Sequence, residues 1–415
     1  MSFASLGLID QILATLDTLA YHTPTAVQQQ AIPAVLAGKD VMAAAQTGTG
    51  KTAGFTLPLL QRLVKSSGKV SSNAVRALIL VPTRELAEQV HESVRTYSQG
   101  LELRSLAAYG GVSINPQMMA LRKGVDVLVA TPGRLLDLHR QNAVGFNEVK
   151  VLVLDEADRM LDLGFSKELD QLFAVLPKKR QTLLFSATFS DQIRAMANRL
   201  LREPVRIEAT PRNNTVSAVK QWLVPVDKKR KPELFVHLLK KHAWPQVLAF
   251  AKTRKGVDEL VGMLAAKRID ADAIHGDKPQ PARLRALERF KAGEVRVLVA
   301  TDVAARGLDI DDLPAVVNVD LPIVAEDYVH RTGRTGRAGA SGEAVSLVCA
   351  DEIEQLAAIE ALTRQVIRRE DEAGFEPDHR VPETAPGGQI VKKPKKPKKP
   401  KGNAPVVSED VRFRR

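Results

Sequence analysis

Residues 41–52 read VMAAAQTGTGKT, a short apolar run followed directly by a glycine-bearing turn that ends in Lys51 and Thr52. In a strand–turn–helix unit, such a turn presents backbone N–H groups and a helix N-terminus to bound phosphate. We predict that Lys51 reaches the β and γ phosphates of a nucleotide and that the Thr52 hydroxyl binds a magnesium ion. The other predicted phosphate-loop residues are Ala45, Gln46, Thr47, Gly48, Thr49 and Gly50. Ala45 stands where the general pattern has glycine, and a flexible loop is the alternative interpretation.

Short apolar runs recur along the first half of the chain, and small, polar or charged residues follow each of them at once. These runs are residues 41–45, 77–81, 125–130, 151–154 and 182–185. Near-continuous apolar character is typical of buried parallel strands. Helix-like stretches such as 85–97 and 166–175 lie between them, so strands and helices alternate. The pattern predicts an α/β fold with a doubly wound parallel sheet.

The second half repeats this rhythm and predicts a second sheet of the same kind. Its apolar runs are residues 247–250, 271–274, 295–300, 315–319 and 344–349. Between the halves, ATPRNNTV at 209–216 lacks an apolar period and suits a hinge, with the boundary near residue 211. We predict four segments: a first domain at 1–208, a linker at 209–217, a second domain at 218–369, and a disordered tail at 370–415.

Two carboxylates lie just past the end of one predicted strand, in VLVLDEAD at residues 151–158. Open α/β sheets bind their ligands at this position. Asp155 is expected to hold magnesium, directly or through water, and Glu156 to orient and deprotonate the water that attacks the γ phosphate. A solvated acidic strand end is the alternative, and the preceding phosphate loop argues against it.

An arginine-rich motif stands in the second half, where residues 330–337 read HRTGRTGR. Guanidinium groups suit the charge that spreads over a transferred phosphoryl group, so Arg334 and Arg337 are predicted catalytic residues. Because they belong to the other domain, closure would bring them to ATP bound on the first domain. A basic surface loop is the alternative.

Composition excludes several classes of protein. The 415 residues are 44% hydrophobic and 26% charged, as in soluble globular proteins, and no run approaches the ~18 apolar residues of a membrane span. Residues 1–19 lack a basic start and predict an amphipathic helix rather than a signal peptide. A single cysteine, Cys349, and eight histidines without zinc spacing indicate a reducing, cytoplasmic location.

The positive charge is concentrated at the end of the chain. The formal net charge is +12, and residues 392–415 carry +8 of it. Residues 392–401 read KKPKKPKKPK, in which regular prolines prevent helix or sheet. Such a tail favours polyanions by counterion release, so nucleic acid is the predicted partner and the tail an additional tether for it. A solubilising tail is the alternative.

Together these motifs resemble the DEAD-box branch of the superfamily 2 helicases, over about residues 1–368. The resemblance implies two tandem RecA-like domains, ATP with Mg²⁺, and ATP-dependent unwinding of short RNA duplexes in processes such as ribosome assembly or RNA decay. It assigns adenine recognition to Phe3 and to Tyr21 and Gln28 of the segment YHTPTAVQ at residues 21–28. Ala26 replaces the proline usual in that segment. It also assigns nucleotide binding to Gly307 and Asp309 of the segment ATDVAARGLD at residues 300–309.

The same resemblance implies an RNA surface and a coupling segment. The implied RNA contacts are Arg84 of PTREL, Gly111 of GG, Thr131 and Arg134 of TPGR, Gly276 of HG, Arg283 of QPAR and Thr301 of ATDVAARGLD. Ser186 and Thr188, of SAT, and His330 are implied to couple hydrolysis to strand separation, the first two through hydrogen bonds to the acidic motif. Helix capping by Ser186 and Thr188 is the alternative. Contacts of this kind go mostly to the RNA backbone, so the core is not expected to read sequence.

Three interpretations complete the prediction. The basic tail is similar to those of bacterial DEAD-box proteins of the RhlE type. Trp222 and Trp244 are interpreted as packing residues rather than as a platform for stacked bases. Two other functions use the same architecture, namely a non-unwinding RNA clamp that holds ATP as a lock and a DNA translocase. Intact Glu156, Arg334 and Arg337 argue against the clamp, and the adenine segment with the complete DEAD string favours RNA.

Overall fold

Two parallel sheets form the frame of the chain, in a computed structural model that describes residues 2–44, 49–66, 68–208, 219–305, 310, 312–336 and 342–391. The first seven-stranded sheet has the order β3-β4-β2-β5-β6-β1-β7, and the second has the order β10-β11-β9-β12-β13-β8-β14. The first contains β1 Val41–Ala44, β2 Val75–Leu80, β3 Ser105–Ala108, β4 Val125–Ala130, β5 Val151–Leu154, β6 Gln181–Ser186 and β7 Val205–Glu208. The second contains β8 Val219–Pro225, β9 Val247–Phe250, β10 Ala271–Ile274, β11 Val297–Ala300, β12 Ala315–Asn318, β13 Gly342–Val348 and β14 Arg368–Arg369. All pairings in both sheets are parallel, which confirms the doubly wound α/β prediction.

Helices connect the strands in both sheets, as parallel pairing requires. Those of the first unit are α1 Asp10–Thr18, α2 Ala26–Leu36, α3 Lys51–Lys65, α4 Arg84–Tyr97, α5 Asn115–Leu121, α6 Pro132–Arg140, α7 Ala157–Asp162, α8 Ser166–Val175 and α9 Asp191–Leu200. Those of the second are α10 Lys231–His242, α11 Arg254–Ala266, α12 Gln280–Lys291, α13 Asp302–Ala305, α14 Ala325–Thr332 and α15 Ile353–Thr363. Short 3₁₀ helices cover Phe3–Leu6, Lys228–Arg230 and Ala350–Glu352.

The central strands are largely apolar and buried because helices cover both faces of each sheet. Successive side chains of a strand point to opposite faces. In β5, Val151 and Val153 enter one hydrophobic cluster, whereas Leu152 and Leu154 enter the cluster on the other face. Each such side chain contributes about 1.5–3 kcal/mol when it is fully buried. The apolar run that predicted this strand is therefore a consequence of two-sided packing.

The second sheet is packed in the same way. Val247 and Ala249 of β9 lie in one cluster, and Leu248 and Phe250 lie in the other. Trp222 and Trp244 are 2% and 6% exposed. Both tryptophans belong to the core on the first of these faces, which confirms their interpretation as packing residues.

Four strands of the two large sheets were not predicted from the sequence. β3, β7 and β14 are edge strands, and β8 follows the hinge region. A smaller share of their residues is buried than in the central strands. A strand that is exposed on one side carries polar residues, so it lacks the continuous apolar run on which the prediction depended.

The N-terminal prediction of one amphipathic helix over residues 1–19 is wrong in its extent. Among the described residues, a 3₁₀ turn covers Phe3–Leu6 and ends at Gly7, which adopts a left-handed φ of 85°. The α-helix begins only at Asp10. A glycine in this conformation stops a helix, so the apolar residues before Gly7 form a separate turn.

The prediction of a disordered tail from residue 370 is also wrong for residues 370–391, which we call the C-terminal extension. It packs against the second domain and ends in a hairpin of β15 Thr384–Ala385 and β16 Gln389–Ile390. Val381 is 3% exposed in a cluster with Leu223 and Tyr328. Its apolar residues are isolated in the sequence and their partners are distant, so no local periodicity indicates this packing.

Two predicted segments lie outside the described residues, namely the linker at 209–217 and the basic tail at 392–415. The predicted domain limits next to them therefore stay predictions. None of the described helices combines the length and the apolar character needed to cross a membrane.

Candidate nucleotide site and nucleic-acid interface

The first domain gathers its polar groups at the ends of three neighbouring strands. β1, β6 and β5 lie side by side, so the segments that follow them meet at one edge of the sheet. Helix α3 begins there at Lys51, directly after Gly50, whose φ is 78°. Any side chain at position 50 would collide with the amide of Gln28. Glycine is therefore required where this turn enters its helix.

The Lys51 ammonium is buried between two carboxylates. Its Nζ lies 2.9 Å from Oδ1 of Asp155 and 3.6 Å from Oε1 of Glu156. Burial by itself would lower the pKa of Lys51, but the negative charges of these carboxylates outweigh that effect and raise the pKa. Lys51 is consequently a fixed positive charge at the mouth of the predicted phosphate loop. Thr52, the next residue of α3, is half-buried beside it.

Asp155 has the properties expected of a ligand for a hard cation. Asp155 is fully buried and its Oδ1 is paired with the Lys51 ammonium, whereas no hydrogen bond of good geometry reaches Oδ2 from the described part of the chain. Buried oxygens without donors are costly unless a charge or a ligand compensates them. Magnesium binds through oxygen ligands and takes few of them from the protein, so the side chains here fit that ion.

Glu156 combines backbone strain with a strongly acidic side chain. Its φ and ψ are both 54°, a left-handed conformation that costs a non-glycine residue about 1–3 kcal/mol. Burial would raise the pKa of the carboxyl, but Lys51 and the neighbouring arginines, which include Arg334, lower it to about 2. Glu156 is therefore ionised throughout the physiological pH range.

The second domain contributes to the surroundings of Glu156. Arg334 is 5% exposed, and its charge acts on the Glu156 carboxyl. Burial lowers the pKa of His330, which faces Asp158 and Arg159 of the first domain. The structure thus brings two predicted residues of the second domain to the acidic motif of the first. Arg337 lies outside the described residues.

Hydrogen bonds join the acidic motif to the segment after β6. Asp158 Oδ2 accepts from the Thr188 N–H at 2.8 Å and from the Thr188 hydroxyl at 3.0 Å. Ser186 Oγ accepts from the Asp158 N–H at 3.3 Å and donates to the Thr188 carbonyl at 2.7 Å. Asp158 was part of a recognised motif in the sequence but was not singled out. This network connects the acidic motif directly to the end of the neighbouring strand β6.

The predicted adenine segment forms a compact cluster beside the phosphate loop. Phe3 and Tyr21 pack edge to face, with ring centroids 5.1 Å apart. Gln28 is fully buried, and its Nε2 donates to the Tyr21 hydroxyl at 2.5 Å and to the Gly50 carbonyl at 2.8 Å. Its Oε1 accepts from the Thr25 N–H at 2.9 Å. The glutamine therefore connects this segment mechanically to the phosphate loop.

The predicted RNA residues of the first domain lie near one another. The guanidinium of Arg84 packs over Gly111, where a side chain would clash with it. Arg134 Nη2 donates to the Val112 carbonyl at 2.8 Å, while its Nε and Nη1 have no hydrogen-bond partner among the described residues. Thr131 is buried immediately before α6. Two guanidinium groups thus flank one glycine, an arrangement suited to a phosphate chain.

Of the RNA residues predicted in the second domain, Gly276 and Thr301 follow the ends of β10 and β11, and Arg283 lies in helix α12. Arg283 crosses to the first domain, where its Nη2 lies 2.8 Å from Oε1 of Glu85, and both residues are buried. Gly276 packs against Arg254, and Thr301 is 9% exposed directly after β11. Sequence reasoning missed Glu85 as the partner of Arg283, although it belongs to the PTREL motif.

Several predicted residues cannot be placed. The nucleotide contacts Ala45, Gln46, Thr47, Gly48, Gly307 and Asp309 lie outside the described residues. Thr49 is described, and its carbonyl accepts from the Thr25 hydroxyl at 2.8 Å. Among the placed residues, Lys51, Asp155, Glu156 and Arg334 come together in a cleft between the domains. Two parallel-sheet domains with such a cleft define the class of two-domain nucleotide-dependent helicases.

Comparison with known proteins agrees with this class. The DEAD/DEAH box helicase family matches residues 25–196, and the helicase conserved C-terminal domain matches residues 230–339. A DEAD-box ATP-dependent RNA helicase CshA of Geobacillus kaustophilus is 41% identical over 368 residues, or 89% of this chain and 78% of that protein. RhpA of Helicobacter pylori, also a DEAD-box ATP-dependent RNA helicase, is 39% identical over 86% of this chain and 71% of its own.

Solved structures give the same result. S. cerevisiae Dbp5 bound to RNA and ADP BeF3 is 32% identical, covers 89% of this chain and 95% of its own, and superposes with a TM-score of 0.77. Mss116p bound to ssRNA and AMP-PNP is 30% identical, covers 89% of this chain and 78% of its own, and has a TM-score of 0.79. The chain belongs to the DEAD-box family of ATP-dependent RNA helicases. The RhlE-type subgroup remains a prediction.

Proposed function

We propose that this chain hydrolyses ATP in the cleft between its domains and uses the closed state to separate short RNA duplexes. The observation that carries the proposal is the position of Arg334, a buried residue of the second domain whose charge acts on Glu156 of the first. Hydrolysis at this site depends on the relative position of the two domains. RNA that spans both domains can therefore control it.

The first domain supplies the binding charges. Lys51 neutralises the β and γ phosphates of ATP, exchanging its contacts with Asp155 and Glu156 for phosphate oxygens. Thr52 and Asp155 would hold a magnesium ion, directly or through water. When bound, this ion supplies positive charge to the β and γ phosphate oxygens.

Glu156 positions the water that attacks the γ phosphate. A carboxylate whose pKa is about 2 accepts hydrogen bonds well but is a weak base. Phosphoryl transfer through a loose transition state asks mainly for an oriented nucleophile and little for early proton removal. We therefore infer that orientation is the larger part of the contribution of Glu156, and that proton acceptance follows bond formation.

The second domain stabilises the charge that develops on the transferred phosphoryl group. Arg334, together with Arg337, is the source of that stabilisation, and its withdrawal on opening ends turnover. His330 faces Asp158, so a change in the position of the acidic motif acts on the second domain through this histidine. Ser186 and Thr188 transmit the same change within the first domain through their bonds to Asp158.

RNA binds across both domains through its backbone. Arg84, Gly111, Thr131 and Arg134 contact one part of the strand, and Gly276, Arg283 and Thr301 contact the next. We propose that the path across the closed cleft is bent and excludes the complementary strand, so that a duplex opens locally. Contacts to the 2′-hydroxyls would distinguish RNA from DNA. The basic tail adds a tether for RNA, and a cytoplasmic role in ribosome assembly or RNA decay fits this activity.

The activity test is ATP hydrolysis by the purified chain with single-stranded RNA, with DNA of equal sequence, and with no nucleic acid. We expect RNA to raise kcat/KM by at least about tenfold, the size of typical coupling between two sites, and DNA to have little effect. Equal stimulation by DNA would favour a DNA translocase. Stimulation without duplex separation in an unwinding assay would favour an RNA clamp.

We predict that Gln28→Ala lowers the preference for ATP over GTP. Both N–H groups of Gln28 are engaged by Tyr21 and Gly50, so Oε1 has the spare capacity to accept from the adenine N6 amine. Guanine presents an acceptor at the same position, which would oppose Oε1. We expect the ratio of kcat/KM for ATP to that for GTP to fall by about 10-fold or more, because an unpaired buried acceptor costs about 1–3 kcal/mol.

Gln181→Ala is the matched control for that variant. Gln181 is also a buried glutamine, and its amide donates to the carbonyls of Val35 and Lys39, away from the phosphate loop. It should reduce stability without altering the preference for ATP over GTP. An equal loss of that preference in both variants would remove Gln28 from adenine recognition.

A further inference from the structure

Arg331 of helix α14 has no role in the proposed function. Among the described residues its side chain nevertheless makes four hydrogen bonds at the edge of the second sheet that faces the site. It is 2% exposed. Its Nε and Nη2 donate to the two carboxylate oxygens of Asp302, at 2.6 Å and 2.7 Å. Two-point pairing of this kind fixes direction as well as distance.

Arg331 also contacts two other strand ends. Its Nη1 donates to Oδ1 of Asn318 at 2.9 Å and to the Asp320 carbonyl at 2.7 Å. Its guanidinium lies over the ring of Phe250, 4.6 Å from the centroid. Phe250 ends β9, Asp302 follows β11, and Asn318 ends β12. One side chain therefore fixes α14 to the carboxyl ends of three adjacent strands.

The neighbours of Asp302 and of Arg331 serve different binding sites in the proposed function, one for RNA and one for the nucleotide. Thr301, directly before Asp302, is a proposed RNA contact, and its carbonyl accepts from the N–H groups of Ala304 and Ala305 in α13. His330 directly precedes Arg331. The Arg334 N–H donates to the Arg331 carbonyl at 3.1 Å. The pair thus joins a proposed RNA contact to the groups that face Glu156.

We propose that Arg331 and Asp302 are positioning residues that couple RNA binding at Thr301 to nucleotide binding at Arg334. The inference rests on the proposed function and deepens it. RNA that fixes the segment at Thr301 also fixes α14 through this ion pair, and Arg334 is then placed against the nucleotide. Coupling between two binding sites is reciprocal, so a nucleotide held by Arg334 must tighten RNA binding by the same factor.

Arginine is required for this task in a way that lysine cannot satisfy. The planar guanidinium serves both oxygens of Asp302, one amide and one carbonyl at the same time, whereas an ammonium is a single point of charge. Arg331→Lys keeps the charge but loses the two-point geometry. Asp302→Asn keeps the shape of its residue and removes the charge-assisted bonds.

The test measures the affinity of the full chain for fluorescently labelled single-stranded RNA with and without AMP-PNP and magnesium. We expect AMP-PNP to tighten RNA binding by at least about tenfold in the unaltered chain, within the usual range for coupled sites. Asp302→Asn should reduce this factor to below about twofold. RNA affinity without nucleotide and AMP-PNP affinity without RNA should each change by less than about threefold. Arg331→Lys should lie between the two.

Asp126→Asn supplies a control for the general cost of breaking a buried arginine–aspartate pair. Arg76 and Asp126 form a buried ion pair between β2 and β4, at the edge of the first sheet opposite to the cleft. This variant should keep the full coupling factor. An undiminished factor in Asp302→Asn and Arg331→Lys would overturn the inference, as would a matching loss in Asp126→Asn. A factor of one in the unaltered chain would instead overturn the proposed function.

Discussion

Lys51→Ala is expected to abolish turnover, lowering kcat/KM for ATP by at least about a thousandfold. Removal of one preorganised charge from a phosphoryl-transfer site costs about 10²–10³ in rate, and Lys51 also neutralises phosphate in the ground state. The change leaves Asp155 and Glu156 buried beside each other without their cation. Loss of stability should accompany loss of activity. ATP hydrolysis with saturating RNA and the melting temperature, measured on the same preparation, test both parts.

Glu156→Gln separates chemistry from binding in the same site. The amide keeps the shape of the side chain and removes only the charge, so nucleotide and RNA should still bind. We expect turnover to fall by about 10²–10⁴-fold, as for loss of a general base or an equivalent orienting group, while RNA stays bound for longer in the presence of ATP. Multiple-turnover unwinding by either variant would contradict the proposed mechanism.

The sequence predicted the fold because burial on both faces leaves a direct trace in composition. Strands such as Val125–Ala130 and Val151–Leu154 are buried at every position and were predicted with their observed limits. The edge strand at Ser105–Ala108 has no such run, and neither do the isolated contacts of Val381. Apolar periodicity records local two-sided packing, so it does not reveal edges or segments that pack through a few distant residues.

Motifs located the site residues in the chain, but they did not identify the partners. Ser186, Thr188 and the acidic motif were predicted to interact, whereas the bonds from Thr188 to Asp158 required the geometry. Arg283 was assigned to RNA, and in the structure it pairs with Glu85 of the other domain. Pairs that are distant in the sequence carry no local signal, because each member looks like an ordinary polar or charged residue of its own motif.

The C-terminal extension leads to the second large effect. Truncation after residue 369 should lower the melting temperature by about 10 °C, because a loss of 3–5 kcal/mol shifts a domain of this size by about 2–4 °C per kcal/mol. Burial of Val381 accounts for about 1.5–3 kcal/mol of it. Arg369 donates to the carbonyls of Val381 and Pro382 at 3.0 Å and 2.6 Å, and Asp227 accepts from the Asp378 N–H at 2.9 Å.

Truncation after residue 391 is the matched comparison, since it removes the basic tail and leaves the extension whole. The melting temperature should stay within about 2 °C of that of the full chain. RNA affinity should fall, and the slope of log affinity against log salt should flatten by about 2 or more, because each phosphate that is no longer neutralised removes about 0.7 from a single-strand slope. An unchanged melting temperature after truncation at residue 369 would mean that the C-terminal extension is not part of the domain. An unchanged salt slope after the second truncation would assign the tail a role other than RNA binding. If the +8 charge of residues 392–415 neutralised RNA phosphates, its removal would have to flatten the slope.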